Sequence, residues 1–386
     1  MSYSKYYIYK RQYSDDNGAT WHDVYPAETE PGGEPIGTYD TLVECEGEIP
    51  PIPSDYSERY FTLVPTQNKT SFRVLFSSES TLYYSINSGL TWTSIGSNGV
   101  TPEISVGNMI MWKGDVKPVV LSGGGIEVPC IIRSNNNLPF NAEGNTMSLI
   151  YDDDFIGKTD LKNTDKIFTE LLSGSKVVNA ENMVLPATAL TTGCYASMFQ
   201  GCTSLTTAPS LPSTELANYC YWLMFYGCTS LTTAPELSAT TLEENCYASM
   251  FQGCTSLTTT PSLPATTLAS GCYAYMFAGC TSLTTAPSLP ATTLDSQCYD
   301  GMFYTCTSLI KAPDLLAATL VSNCYMNMFT NCTNLSSIKC LGYNPNAGAY
   351  QWVRGVSATG TFTKKAGVSW PTGNNGIPNG WTVVEV

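Results

Sequence analysis

Between residues 187 and 339 the apolar positions return every 26 residues, with no insertion or deletion, in six successive units. Each unit opens on Cys-Tyr, places Met-Phe four and five residues later, a second Cys at offset 8 and a Leu at offset 11, as in Cys246, Tyr247, Met250, Phe251, Cys254 and Leu257. Offsets 2, 3 and 6 vary from unit to unit. On a helical wheel the constant offsets fall on one face and the variable ones on the other, which predicts a short helix with one buried side. The Ser-Leu-Thr-Thr-Ala segment that follows is rich in strand-formers and ends at proline (Pro209, Pro235, Pro261, Pro287, Pro313). It predicts a short strand stacked in parallel on its equivalents and halted by the proline. A unit this small cannot bury its own apolar face. A fixed period of this size therefore predicts a solenoid whose core runs through all the units.

The pattern fades at both ends. Phe168 to Pro186 reads as a degraded copy, suited to a terminal coil with one neighbour. After Cys332 the proline position holds Lys339, and a Gly-, Asn- and Trp-rich tail follows. The N-terminal half lacks the repeat and shows short β-runs between Gly, Asn and Pro turns. Tyr6–Gln12 with Ala19–Val24, and Tyr83–Ile86 with Leu90–Ile95, predict two hairpins. The expected organisation is a small β docking module (1–46), a Pro-rich linker (47–56), a β-sandwich (57–150), an N-terminal cap and degenerate repeat (151–186), the solenoid (187–339) and a C-terminal cap (340–386). The fold class is thus multidomain: all-β modules, then an α/β solenoid.

Charge narrows the function. Only 13% of the 386 residues are charged and the net charge is −14, which argues against nucleic acid and anionic membrane surfaces. No stretch reaches the roughly 20 apolar residues of a membrane span. The opening residues lack the apolar core of a secretory signal, so either that signal has been removed or export occurs by another route such as lysis. Of fifteen cysteines, twelve form two columns: Cys194, Cys220, Cys246, Cys272, Cys298 and Cys324, and Cys202, Cys228, Cys254, Cys280, Cys306 and Cys332. Their helical spacing suits buried thiols acting as small apolar residues, with bridges between neighbouring coils as the other reading. With no CxxC pair and a single histidine, His22, neither a metal nor a cofactor is expected.

Met276 to Thr284 (Met-Phe-Ala-Gly-Cys-Thr-Ser-Leu-Thr) resembles the bacterial surface-protein (BspA-like) type of leucine-rich repeat. The tail from Gly360 through Trp370 to Trp381 is similar to segments that close such arrays. The resemblance covers roughly residues 147–386. It implies a right-handed solenoid with a parallel strand per turn, a role in adhesion, and no catalytic residues. Two turns, Ser14–Trp21 and Ser85–Trp92, resemble the Asp box of sialidase-type propellers, a folding device rather than a catalytic one. Residues 6–26 are similar to opening segments of structural proteins from phages and prophages of gut anaerobes, which implies docking to a virion.

No catalytic constellation emerges. His22 has no matching serine motif, the five arginines are scattered, Gly123-Gly124-Gly125 lacks the Lys of a phosphate loop, and the acids sit mostly in turns. A calcium site at Asp152-Asp153-Asp154 is disfavoured because three adjacent acids cannot face one ion. The candidate binding residues are instead the variable repeat positions Trp222, Leu223, Tyr226, Tyr275, Asp300, Tyr304, Met326 and Asn327. These are expected to project from successive helices as a stripe with a pitch near 5 Å. The resulting expectation is a non-enzymatic recognition protein, a tail or head fibre component of a virion. Its N-terminus would dock to other virion proteins and its solenoid would bind a host surface glycan or protein, with self-association allowed. The alternatives are a bacterial cell-surface adhesin and, further off, a carbohydrate-active enzyme.

Overall fold

A computed structural model describes residues 53–117, 130–343 and 348–386, together with the backbone of five strands outside those ranges. The chain divides into two compact units, Met1–Pro53 and Ser54–Val386. In the first, β1 (Tyr6–Tyr13) pairs antiparallel with β2 (His22–Val24) on one side and β3 (Thr38–Cys45) on the other. The first Asp-box turn and the Gly123–Gly125 loop lie outside the described residues, as do the side chain of His22 and most of the Pro-rich stretch.

The second unit begins with β4 (Phe61–Pro65), β5 (Phe72–Phe76), β6 (Thr81–Ser85), β7 (Thr93–Ser94) and β8 (Ile110–Asp115). The two-residue strands β9 (Val119–Val120) and β10 (Ile126–Glu127) pair with each other. Then come β11 (Cys130–Ser134), β12 (Phe140–Asn145), α1 (Ser148–Tyr151), β13 (Val177–Asn179) and β14 (Met183–Val184). One sheet runs β13-β12-β4-β8-β6-β7, with β14 also on β12, and β11 pairs with β5 separately. Phe61, Leu63, Phe72, Trp112 and Phe140 fill the core here. The hairpin β6–β7 forms across Tyr83↔Ser94. Its turn is tied by Ser85 Oγ, which accepts the Gly89 N–H (2.9 Å), and by Asn87 Oδ1, which accepts the Thr91 N–H (3.0 Å). Asp152 and Asp153 both pair with Lys113 (2.9 and 2.6 Å).

From Lys166 onward the chain builds tiers. The expected helix is absent: the Cys-Tyr-x-x-Met-Phe-x-Gly-Cys block is a run of turns, and α1 is the only α-helix of four or more residues among the described ones. The physical reason lies in the backbone. Every fourth residue is left-handed, as at Gly193, Ser197 and Gly201 or Asn245, Ser249 and Gly253, and a left-handed residue ends an α-helix. The intervening hydrogen bonds alternate. Tyr195, Ser197, Phe199 and Gly201 donate their N–H to Cys220, Trp222, Met224 and Tyr226 of the next tier (2.7–3.0 Å). Ala196, Met198 and Gln200 instead donate three residues back, within their own tier. The same scheme joins each tier to the one after it.

All of these inter-tier bonds point the same way, so carbonyls are left over at the first tier and N–H groups at the last. Both ends are capped. Ile132 N–H donates to Leu171 O (2.8 Å) and the Arg133 guanidinium to Ser173 O. At the far end Gln351 N–H donates to Asn375 Oδ1 (2.7 Å).

Side chains at the constant offsets form buried ladders. Phe168, Tyr195, Tyr221, Tyr247, Tyr273, Tyr299, Tyr325 and Trp352 stack in one column at ring spacings of 5.7–6.1 Å. Phe199 to Phe329 form a second, at 5.4–5.8 Å. These ring separations are wider than the roughly 4.8 Å between neighbouring strands, although the backbone N–H···O bonds joining the turns of neighbouring tiers have ordinary lengths of 2.7–3.1 Å. The expected parallel strand shrinks to single bridges such as Thr233↔Thr259 and Thr285↔Lys311 in the proline-bearing units. Where Lys339 replaces proline, the ladder runs on as β15 (Ser337–Cys340), paired in parallel with β16 (Thr361–Lys364), which pairs with β17 (Thr382–Glu385).

The second cysteine column has a specific bond. The thiols of Cys228, Cys254, Cys280, Cys306 and Cys332 each donate to the carbonyl of the Phe one tier back, at 2.9–3.2 Å. All fourteen cysteines among the described residues are free and buried. Burial pushes the Cys194 and Cys254 thiols up to about 12 and Cys202 to about 11, so thiolate is scarce at neutral pH. Native protein should leave all twelve repeat thiols unmodified by an aromatic disulfide reagent at pH 8. Unfolding without reductant should expose all twelve to alkylation, read by peptide mass; a missing pair would reveal a bridge.

Candidate functional site

Stacking flat turns dictates which side chains reach solvent. The stripe expected from the sequence is not a row of projecting residues. Trp222 and Tyr226 are exposed (41 and 37%), Leu223, Tyr275, Tyr304, Met326 and Asn327 are half-buried, and Asp300 is buried at 6%. Without a helix these offsets do not share one outer face, and their exposure varies from tier to tier.

Two clusters result. In the second repeat Trp222 meets Tyr219 edge-on at 6.2 Å, and with Tyr226 they make an exposed aromatic patch. The next tier carries only Ala248, Ser249 and Gln252 at these offsets. Beyond it, Tyr275, Asp300 and Asn327 occupy three consecutive tiers. Gly301 makes this packing feasible: a Cβ there would lie 2.3 Å from Tyr275 Cε1. Tyr275 therefore lies across the fifth repeat, and its hydroxyl and the Asn327 amide face the Asp300 carboxyl. Leu223 and Tyr275 are left-handed (φ 56° and 54°), a conformation that costs a side-chain-bearing residue about 1–2 kcal/mol.

Asp300 is the one acid at its offset among the six units, and its Oδ1 has no hydrogen-bond partner. Burial pushes its carboxyl up to about 6, opposed by hydrogen bonding from Tyr275 and Asn327. The folded value lies above the ordinary 3.8, so the folded state holds the proton more tightly. Stability from this group is full below about pH 4, falls as pH rises, and is gone above about pH 6, on the order of 3 kcal/mol in all. Asp300→Asn should remove that slope. The check is the difference between wild-type and variant urea curves at pH 4, 5, 6 and 7; parallel curves would contradict it.

A feature not foreseen from the sequence lies on the proline-bearing stretch of the first two repeats. A groove of about 580 Å³ runs between Thr206–Pro212 and Thr232–Glu236, with Glu181 and Ser238 at its margins. The one available signal was the Thr-Thr-Ala-Pro corner, which places hydroxyls beside a rigid bend in each unit.

Among the described residues no group of three His, Cys, Asp or Glu side chains could hold a metal ion, and no helix is long and apolar enough to cross a membrane. No family model, no curated protein and no solved structure matches this chain.

Proposed function

We propose that this chain is a non-enzymatic recognition protein whose repeats form a right-handed leucine-rich-repeat solenoid of the bacterial surface-protein type, carried on a phage particle as a fibre component. The N-terminal segment serves as the docking element to other virion proteins, and the tiered array contacts the bacterial surface. One observation carries the reading. The constant Cys, Tyr, Met, Phe and Leu side chains are buried, whereas Trp222 and Tyr226 at the variable offsets are exposed. The third repeat stacks in the same way with Ala248, Ser249 and Gln252 at those offsets, so stacking does not require the exposed aromatic side chains, which are left available for contact. Exposed Trp and Tyr are the residues that dominate binding surfaces.

Trp222→Ala with Tyr226→Ala tests this. Binding to host cells should fall at least about 30-fold, the equivalent of a single hot spot of about 2 kcal/mol. The melting temperature should move little because both side chains are exposed. Undiminished binding contradicts the reading. Copurification of the chain with intact virions separates it from a cell-surface adhesin.

A further inference from the structure

The groove on the proline-bearing flank lies on a different stretch of each unit from the aromatic patch, and its chemistry is different. Glu181 and Glu236 stand at it as exposed carboxylates, and Thr206, Thr232, Ser210 and Ser238 add hydroxyls. None of its lining residues is Lys or Arg. The backbone adds donors. Asn179↔Thr207 and Thr233↔Thr259 bridge their tiers, but no bridge joins Thr207 to Thr233. The N–H groups of Ala208, Thr232 and Thr233 make no hydrogen bond among the described residues. The same break recurs between Thr259 and Thr285, so the groove is set apart by its lining, with the carboxylates of Glu181 and Glu236 beside the open ladder. Glu236 is steadied there by the Ser262 N–H (3.4 Å).

We infer that this groove is a saccharide-binding site for an uncharged or amino sugar. Carboxylates accept from vicinal hydroxyls or an ammonium, free amides and threonine hydroxyls supply donors, and Pro212 and Pro235 offer rigid CH surface to a pyranose face. The volume falls in the range of small-ligand pockets, about 300–1,000 Å³. An anionic sugar is disfavoured, because two carboxylates and no cation would face it.

The experiment is saturation-transfer NMR of the full chain with the methyl glycosides of glucose, galactose, N-acetylglucosamine and glucosamine, followed by titration. At least one should bind with a Kd of about 1 mM. Glu181→Gln with Glu236→Gln, both exposed, should weaken it about tenfold or more with the melting temperature unchanged. Binding restricted to glucosamine would assign the carboxylates to an ammonium, and binding of the neutral glycosides would assign them to hydroxyls; either supports the site. Absence of transfer for all four glycosides overturns it. So does binding that survives the Glu pair substitution but is lost in Trp222→Ala with Tyr226→Ala, which would move the sugar to the aromatic patch.

Discussion

Phe251→Ala in the third repeat should lower unfolding free energy by about 3–5 kcal/mol, the range for removing a fully buried aromatic ring. Phe251 is inaccessible to solvent and sits between Phe225 at 5.6 Å and Phe277 at 5.7 Å. Its removal forfeits two ring stacks, each worth about 0.5–1.5 kcal/mol beyond burial. The cavity cannot close, because the tiers above and below are held at fixed pitch by the N–H···O bonds from Phe225 to Met250 and from Phe251 to Met276 (both 2.9 Å). Urea denaturation followed by far-UV circular dichroism measures the effect. A loss under about 1 kcal/mol would mean that the ring column does not bear on stability. Phe199→Ala, in the first repeat, still removes a ring stacked on Phe225 (5.4 Å), but it has one Phe neighbour rather than two and should cost less.

Much of this array can be read from the repeat alone. The columns of Cys, Tyr, Met, Phe and Leu are each buried, and the degraded copy at one end and the Trp-rich tail at the other supply Phe168 and Trp352 to the same ring ladder. The replacement of the expected helix by turns has a definable reason. Cys246, Met250 and Cys254 are spaced by four, close to the 3.6-residue period of a helix, and a chain of four-residue turns gives the same spacing. Gly193 and Gly201, or Gly271 and Gly279, eight residues apart and left-handed, were the available sign that the period was four. With the helix went the outward stripe. The burial of Asp300 depends on Tyr275 lying over Gly301, a contact between residues one tier apart that no within-unit pattern announces. The groove was hidden more deeply. Thr206-Thr207 and Thr232-Thr233 are chemically equivalent, and nothing in their identity says which neighbouring tiers are bridged there and which are not.

The second large effect follows from modularity. If each tier touches only its neighbours, stability is a sum over tiers and the interfaces between them, and an entire unit can be excised. Deleting residues 246–271 joins Asn245 to Cys272. Asn245 already has the left-handed conformation (φ 52°) that Gly271 has at the same place (φ 60°). Tyr221 would then stack on Tyr273, and the N–H of Tyr221 would meet the carbonyl of Cys272 in place of Cys246. The caps at Arg133 and Asn375 stay in place. Removing half a unit, residues 246–258, has no such solution: it sets the ring column against the Thr-Pro corner and leaves buried amides without partners.

Urea unfolding of the chain lacking residues 246–271, with the half-unit deletion beside it, tests the tiered core most directly. The full-unit deletion should fold cooperatively, with a modestly lower midpoint and a smaller denaturant slope because less surface is exposed, and the half-unit deletion should not fold. A full-unit deletion as unfolded as the half-unit one would show that residues 187–339 fold as a closed body rather than as interchangeable tiers.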